Sequence, residues 1–213
     1  MPPLERLQAT FLLSAPGLKQ CPQDNLPEIA FAGRSNAGKS SVLNCITGNR
    51  RTAKVSKTPG RTQLLNFFDI HLPGQHGATC GRIVDLPGYG YAKAGKQAQA
   101  QWQQSVNAYL SRRDNLVGVV LVMDIRHPNQ SFDQELFEWA AASDLPILGL
   151  LNKADKLGRG AQQKALHELN RLYKDQAGFS SQTFSATKNT GREALVAYVL
   201  AQLDASQTLP GEA

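Results

Sequence analysis

The eight residues from Gly33 to Ser40, GRSNAGKS, fit the pattern G-x-x-x-x-G-K-S of a phosphate-binding loop. Backbone N–H groups in such a loop can surround phosphate oxygens, and the N-terminus of the following helix adds a favourable field. We expect the Lys39 ammonium to reach the outer phosphates of a nucleotide and the Ser40 hydroxyl to ligate magnesium. Gly38 must be small because the backbone approaches the ligand closely.

A second motif, DLPG, runs from Asp85 to Gly88 at the end of an apolar segment. An aspartate at a strand end suits a water-bridged contact to magnesium, and the Gly88 N–H could lie near the terminal phosphate. An isolated D-x-x-G carries little weight, because an ordinary turn explains it. After a phosphate loop, the same pattern is a strong indication of a nucleotide site.

The third motif, NKAD, runs from Asn152 to Asp155 and selects the base. The Asp155 carboxylate can accept hydrogen bonds from the N1–H and the exocyclic amine of guanine, whereas adenine offers no such pair of donors. Asn152 could tie this segment to the phosphate loop, and Lys153 could lay its stem along the base and the ribose. In the later segment SAT, at 185–187, the Ala186 N–H could meet guanine O6. Together these residues favour GTP over ATP.

A threonine is expected to reach magnesium when the third phosphate is present and to release it after hydrolysis. Three candidates lie in the basic loop after the first predicted helix: Thr52, Thr58 and Thr62. We choose Thr62 because it lies closest to the following strand, whereas Thr58 precedes Pro59 and is conformationally restricted. Ordinary turn chemistry explains the local TPG sequence equally well.

Apolar segments and helical patterns alternate along the 213 residues. This alternation predicts an α/β fold of three layers with a mostly parallel six-stranded sheet and helices on both faces. With the phosphate loop and the NKAD motif added, the chain resembles a P-loop NTPase of the Ras-like G-domain type. We assign 26–203 to this domain, 1–25 to an irregular N-terminal extension and 204–213 to a frayed tail. One helix is expected to be capped by Ser131. Since the motifs follow the ends of predicted strands, they should meet on one rim of the sheet.

The charge distribution indicates a polyanionic partner. The formal net charge is +6, and no acidic residue lies between Glu28 and Asp69. The basic residues of that window are Arg34, Lys39, Arg50, Arg51, Lys54, Lys57 and Arg61. Nucleotide phosphates account for one or two of these charges, and RNA is a candidate for the rest, with a solvated basic surface as the alternative. Three widely spaced cysteines fit reduced thiols in a cytosol, and no apolar run is long enough to span a membrane.

The order of the motifs is that of translation-factor-class GTPases, and five segments resemble one family more closely. GRSNAGKSS, SKTPGRTQLLNFF, VDLPGYGYAK, VMDIRHP and LLNKADKL resemble the EngB (YihA) family of bacterial ribosome-assembly GTP-binding proteins, in the TrmE-Era-EngA-EngB-septin-like group. The resemblance covers about Phe11 to Leu203. It implies GTP binding with magnesium at Ser40 and Thr62, and a role in maturing the large ribosomal subunit, with a link to cell division and septation. Members often carry threonine at the position of Asn152.

The expected ligands and partners follow from the motifs and the resemblance together. The nucleotide-contacting residues are Gly33, Arg34, Ser35, Asn36, Ala37, Gly38, Lys39, Ser40, Gly60, Arg61, Thr62, Gln63, Leu64, Asp85, Leu86, Pro87, Gly88, Asn152, Lys153, Ala154, Asp155, Ser185, Ala186 and Thr187. We expect Mg²⁺ and GTP or GDP as ligands, and the large ribosomal subunit with its rRNA as partner. We expect no DNA or membrane contact, a monomer away from the ribosome, and a cytoplasmic location.

Two residues bear on the hydrolysis step. Ras-like enzymes place a glutamine after D-x-x-G, where this chain has Tyr89, and a phenol cannot orient water with the geometry of an amide. We therefore predict slow intrinsic hydrolysis that a partner accelerates. Asn36 could coordinate a potassium ion beside the phosphates, or it could only tolerate a tight loop conformation.

Two alternatives to a switch GTPase also fit the sequence. One is an RNA- or ribosome-binding module with GTP as a structural ligand, and the other is a P-loop kinase or ATPase. His127 has no evident acid–base partner in the sequence, so we expect it to be structural or to face a partner.

Overall fold

The computed structural model describes residues 6–48, 64–71, 78–89 and 106–205. Within these residues the chain forms one seven-stranded sheet. The strands are β1 (Gln8–Ala15), β2 (Glu28–Gly33), β3 (Leu65–His71), β4 (Thr79–Asp85), β5 (Leu116–Asp124), β6 (Ile147–Asn152) and β7 (Phe179–Thr183). Their spatial order is β1-β3-β4-β2-β5-β6-β7, which puts β2 at the centre.

Helices cover both faces of the sheet. They are α1 (Lys39–Thr47), α2 (106–112), α3 (Ser131–Ala142), α4 (Arg159–Leu172) and α5 (Arg192–Ala205), with short 3₁₀ turns at Leu18–Gln20 and Ala154–Lys156. Strand β2 shows how the layers form, because its residues alternate between the two faces. Ala30 and Ala32 join the apolar cluster under α2, α3 and α4, whereas Ile29 and Phe31 join the cluster under α1 and α5. None of the described helices is long and apolar enough to cross a bilayer.

The sheet is mostly parallel, since β4-β2-β5-β6-β7 all pair in that sense. Strands β1, β3 and β4 form the antiparallel part. The predicted three-layer α/β fold with a mostly parallel sheet is confirmed. The predicted number of strands was one too low, because Gln8–Ala15, expected to be irregular, is a strand.

The sequence of β1 gives little sign of a strand because β1 is an edge strand with most of its residues exposed or half-buried. Its pairing with β3 also slips between Phe11 and Leu13, which breaks the alternation of period two. The predicted cap of α3 was wrong by one residue. Gln130 is the N-cap, and its backbone N–H donates to the Asp133 carboxylate at 2.8 Å.

The rim predicted from the motifs is present. Gly33, Asp85 and Asn152 are the last residues of β2, β4 and β6, and Ser185 follows β7 by two positions. The cysteines at positions 21, 45 and 80 are free thiols. The expected threonine loop with Thr52, Thr58 and Thr62, the loop after Tyr89 and residues 206–213 lie outside the described residues, whereas residues 204 and 205 of the predicted tail end α5.

Candidate nucleotide site

The phosphate loop leaves β2 at a position that only glycine can occupy. Gly33 has φ 156°, and a Cβ there would lie 2.4 Å from the carbonyl oxygen of Val122 in the neighbouring strand. The loop then passes through left-handed conformations at Asn36 (φ 68°) and Gly38 (φ 95°) before α1 begins at Lys39. The free N–H groups at the start of α1 therefore face the loop, which is the arrangement that binds anions.

Two side chains from the NKAD segment hold the loop from outside. Lys153 Nζ donates to the carbonyl of Asn36 at 2.6 Å, and Asn152 Nδ2 donates to the carbonyl of Ala37 at 2.8 Å. Because C=O and N–H point in opposite directions across a trans peptide, the Gly38 N–H points away from Asn152. These contacts keep carbonyl oxygens on the outside of the loop, so N–H groups can line a concave surface suited to phosphate.

The close approach of the two segments again requires glycine. A Cβ at Gly38 would lie 2.4 Å from Asn152 Nδ2 and 3.7 Å from the Cε atom of Lys153. The phosphate loop and the NKAD segment therefore pack as one unit, and the sequence expectation that Asn152 links them describes a bond present in the structure.

Lys39 and Asp85, expected to serve phosphate and magnesium respectively, lie close enough to bind each other. The Lys39 ammonium donates to the Asp85 carboxylate, and both side chains are almost fully buried. Each charge thus has a partner at the position where α1 and β4 meet. A phosphate and a divalent cation entering this position would each meet a side chain of opposite charge.

The donor set suits a magnesium ion held mainly by its nucleotide. Ser40 lies next to Lys39 in the first turn of α1 and is half-buried. Among the described residues no group of three or more His, Cys, Asp or Glu side chains could form a dedicated metal cage. Mg²⁺ binds one or two protein oxygens together with phosphate oxygens and waters, so Ser40 and Asp85 fit such a site. Thr62, the other expected ligand, lies outside the described residues.

The DLPG segment is fastened to the phosphate loop through its backbone. Ser35 N–H donates to the Tyr89 carbonyl at 2.8 Å, and Tyr89 N–H donates to the Gly33 carbonyl at 3.4 Å. A Cβ at Gly88 would lie 3.2 Å from the Ser35 nitrogen. Leu86 is buried at the head of this segment, and Pro87 follows it. The segment therefore lies directly beside the loop, as its predicted role requires.

The Tyr89 side chain is buried and packs against the start of α3. Its hydroxyl donates to the carboxylate of Asp133 in α3, and its ring packs against Phe132 at 5.6 Å between centroids. Burial, reinforced by the Asp133 charge, raises the pKa of the Tyr89 phenol far above its usual range. Burial also raises the pKa of Asp133. The phenol is thus a structural group that connects the DLPG segment to α3.

The SAT segment orients Asp155, the aspartate predicted to select the base. Ser185 Oγ donates to Asp155 Oδ1 at 2.6 Å, and this hydrogen bond lowers the pKa of the Asp155 carboxyl. The Ala154 N–H donates to the Phe184 carbonyl at 3.0 Å, which joins the two segments through the backbone. Ala186 is half-buried at the start of the turn that follows. The sequence anticipated the Ala186 backbone as a base contact, but it did not indicate that Ser185 would hold Asp155.

A buried acceptor at the centre of the site has no hydrogen-bond partner. Asn152 Nδ2 is engaged with the phosphate loop, whereas Asn152 Oδ1 is buried without a donor among the described residues. An unsatisfied buried acceptor is costly, so this atom suits a ligand that brings a donor.

Asp124, in the segment VMDIRHP, was not predicted as a site residue. It ends β5 opposite Asn152 in the register of β5 with β6, and its Oδ2 accepts a hydrogen bond from Lys153 at 2.9 Å. Arg126 Nε also donates to Asp124 Oδ1 at 2.9 Å. His127 is exposed, and its backbone N–H donates to the Asp124 carbonyl. The sequence signal was an aspartate at a strand end, the same signal that drew attention to Asp85.

The remaining predicted contacts lie at the edges of the site. Arg34 and Thr187 are exposed. Leu64 is 38% exposed, and the other members of the predicted 60–64 contact lie outside the described residues.

The phosphate loop between β2 and α1, the DLPG segment after β4 and the NKAD segment after β6 define a P-loop GTPase domain. Residues 28–153 match the profile of the MMR_HSR1 family, described as 50S ribosome-binding GTPase. The chain belongs to the EngB family of GTP-binding proteins.

The similarity to individual relatives extends over most of both chains. Probable GTP-binding protein EngB of Pasteurella multocida is 48% identical over 188 residues, which are 88% of this chain and 88% of that protein. The protein of the same name from Colwellia psychrerythraea is 45% identical, covering 96% of this chain and 90% of its own. A crystal structure of a probable GTP-binding protein engB aligns with TM-score 0.62 over 84% of this chain and 99% of that one, at 22% identity, which supports the fold.

Proposed function

We propose that this protein binds GTP and hydrolyses it to GDP and phosphate, as a molecular switch in the assembly of the large ribosomal subunit. The observation that carries the proposal is the placement of Asp155. Ser185 orients its carboxylate, while the neighbouring Asn152 and Lys153 bind the phosphate loop. One rigid unit therefore joins a carboxylate suited to guanine with N–H groups suited to phosphate.

The base contact favours guanine for an electrostatic reason. The two oxygens of Asp155 can accept from the N1–H and the exocyclic amine of guanine, whereas adenine would leave the carboxylate unpaired. The Ser185 hydrogen bond favours the ionised form that this contact requires. This arrangement therefore disfavours an ATP-binding kinase or ATPase.

The hydrolysis step is supported by phosphate-binding groups more than by a group that positions water. A bound magnesium ion would neutralise phosphate charge, with Ser40 and Thr62 as its protein ligands. Lys39 lies at the start of α1, and its ammonium would contact the outer phosphates of a bound nucleotide. The Tyr89 phenol is buried and engaged with Asp133, so it supplies no water-orienting group at the phosphates. We therefore propose slow intrinsic turnover that a partner accelerates.

Asn36 offers a second source of positive charge in the form of a monovalent cation. Its left-handed backbone accounts for an asparagine by conformation alone. Its side chain is nevertheless exposed at the phosphate loop, where an amide oxygen could coordinate potassium beside the phosphates. Potassium stimulation is accordingly part of the proposal.

A ribosomal partner is supported by the family profile and by charge. The profile that matches 28–153 is described as ribosome-binding, and the segment without acidic residues carries many basic ones. A switch that acts on the ribosome would work in the cytoplasm. Loss of the switch would reduce protein synthesis and thereby impair cell division and septation. Phosphate contacts through Arg50, Arg51, Lys54 and Lys57 predict binding that weakens steeply with salt.

The decisive experiment is co-sedimentation with purified ribosomal subunits in GDP and in a non-hydrolysable GTP analogue. We expect association with the large subunit in one nucleotide state more than in the other. Equal association in both states, or none, would contradict a switch on that subunit. A multiple-turnover phosphate assay with and without subunits distinguishes the switch from a binding module that holds GTP as a structural ligand, because only the switch predicts stimulated turnover.

A further inference from the structure

Lys153 of the NKAD segment is held by Asp124, a residue outside the predicted nucleotide-binding motifs. The Lys153 ammonium has two described acceptors, the Asn36 carbonyl at 2.6 Å and Asp124 Oδ2 at 2.9 Å. The first acceptor belongs to the phosphate loop, and the second ends β5. Asp124 supplies the only carboxylate in ion-pair contact with Lys153 among the described residues.

Packing alone does not hold this side chain in place. The Lys153 side chain is 28% exposed and lines a cavity of about 220 Å³ beside the phosphate loop, together with Asp124 and Arg126. A lysine side chain has many rotamers in such surroundings, and fixing it costs entropy. The backbone of Lys153 is also left-handed, with φ 63°, a conformation that the surrounding contacts must maintain.

The sheet, and not the phosphate loop, determines the position of Asp124. Asp124 pairs with Asn152 in the register of β5 with β6, so its carboxylate arises one residue away from Lys153 across the rim. Its other partner, Arg126, is exposed and binds the carboxylate through Nε and Nη2 at 2.9 and 2.7 Å. Asp124 is thus shared between an exposed arginine and the lysine that crosses the phosphate loop.

We infer that Asp124 is a positioning residue for guanine-nucleotide binding, which acts by holding Lys153 over the phosphate loop. The inference rests on the proposed function, since it concerns the same site. Asp124 touches neither the base nor the phosphates in this account. Its effect on the nucleotide passes through Lys153, which connects the carboxylate of β5 to the carbonyl of Asn36.

The test is a double-mutant cycle on the rate at which a fluorescent GDP analogue dissociates from the full chain. Asp124→Asn removes the negative charge and keeps the shape, and we expect dissociation to be roughly tenfold faster, as for the loss of a charge-assisted hydrogen bond. Lys153→Met removes the ammonium and keeps the stem. In the Lys153→Met background, Asp124→Asn should change the rate less than about twofold.

A matched control separates this role from the surface ion pair. Arg126→Gln removes the exposed partner of the same carboxylate, and it should leave dissociation within about twofold of the unsubstituted chain. Equal acceleration by Asp124→Asn with and without Lys153, or equal effects of Asp124→Asn and Arg126→Gln, would overturn the inference.

The same experiment separates a failure of the role inferred for Asp124 from a failure of the proposed guanine-nucleotide binding. If the unsubstituted chain binds GDP and Asp124→Asn is unchanged, only the role of Asp124 fails. If the unsubstituted chain binds no guanine nucleotide, the proposed function fails and the inference fails with it. Unfolding midpoints of all variants, measured in urea, check that the dissociation rates compare folded proteins.

Discussion

The side-chain amide of Asn152 donates a hydrogen bond to the backbone carbonyl of Ala37 at 2.8 Å, across 115 positions of sequence. This bond joins the NKAD segment, which is predicted to select the base, to the loop that is predicted to bind the phosphates. Because the two parts of the site cannot shift independently, a nucleotide that fits one is aligned with the other. Both parts lie at the ends of strands whose positions the sheet fixes.

Asn152→Ala should weaken GDP binding by about 5- to 150-fold, because it leaves the Ala37 carbonyl without its donor and opens a gap against Gly38, at a cost of about 1–3 kcal/mol. Isothermal titration with GDP measures the change. Gln163→Ala replaces an exposed amide on α4 and serves as the control. Equal affinities for the Asn152→Ala and Gln163→Ala variants would show that the link contributes nothing to binding.

Asp155→Asn should exchange base specificity. An asparagine presents one donor and one acceptor, which suits xanthine, where a carbonyl replaces the exocyclic amine of guanine. We expect GDP affinity to fall by at least about 100-fold and affinity for xanthosine diphosphate to rise. Competition between the two diphosphates, measured on both proteins, gives the ratio. A parallel loss of affinity for both would argue for a structural role of Asp155.

Tyr89→Phe should lower the free energy of unfolding by about 1–3 kcal/mol, because the buried Asp133 carboxylate loses one of its donors and keeps only the Gln130 N–H among the described residues. Unstimulated GTP hydrolysis should stay within about twofold, since the phenol is buried and its hydroxyl is engaged with Asp133. Urea denaturation and a phosphate-release assay provide the two measurements. Tyr173→Phe, which removes a less buried hydroxyl bonded to Asn129, is the matched control. A large loss of hydrolysis with unchanged stability would place Tyr89 at the reaction.

Asn36→Gly separates the two roles considered for this residue. Glycine keeps the left-handed backbone, and it removes the amide oxygen. We expect the unsubstituted chain to hydrolyse GTP faster in potassium chloride than in sodium chloride at equal ionic strength, and Asn36→Gly to lose that difference. Identical rates of the unsubstituted chain in both salts would leave Asn36 with a conformational role alone.

Acid should destabilise the protein partly through Asp124. Hydrogen bonds from Arg126 and Lys153 lower the pKa of this carboxyl well below its usual range. Its contribution to stability is therefore present above the unfolded-state pKa and is lost as the pH falls through the folded-state value. Urea midpoints from about pH 6 to about pH 3 should fall less steeply in Asp124→Asn than in Asp175→Asn, where the carboxylate is exposed. Parallel curves would contradict this.

The sequence predicted most of the sheet because buried parallel strands have continuous apolar runs. The apolar run LVGVVLVMD is strand β5 from its first residue to its last, and it is apolar because both faces of that strand are covered. The exposed edge strand β1 carries no such pattern and was missed. Local chemistry also identified the phosphate loop and the NKAD segment, where the backbone needs particular residue types.

What escaped prediction depends on neighbours that are distant in sequence. Asp124 serves the site because β5 lies beside β6, and nothing in VMDIRHP specifies that neighbour. The direction of the Tyr89 side chain likewise depends on where α3 places Asp133. The Lys39–Asp85 contact was not predicted either, because Lys39 was expected to bind phosphate and Asp85 magnesium. Only the fold shows that the two side chains lie close enough to bind each other.

The position of β1 in the sheet has a consequence for synthesis of the chain. Among the described strands, β1 pairs with β3 alone, and Ser14 meets Asn66, 52 positions further along. During translation β1 emerges before β3, so it lacks this partner until β3 has left the ribosome. Its exposed Phe11 and Leu12 then form an unpaired apolar edge, the kind of edge that invites association with other chains. Strand β1 must therefore wait for β3 before it can join the sheet.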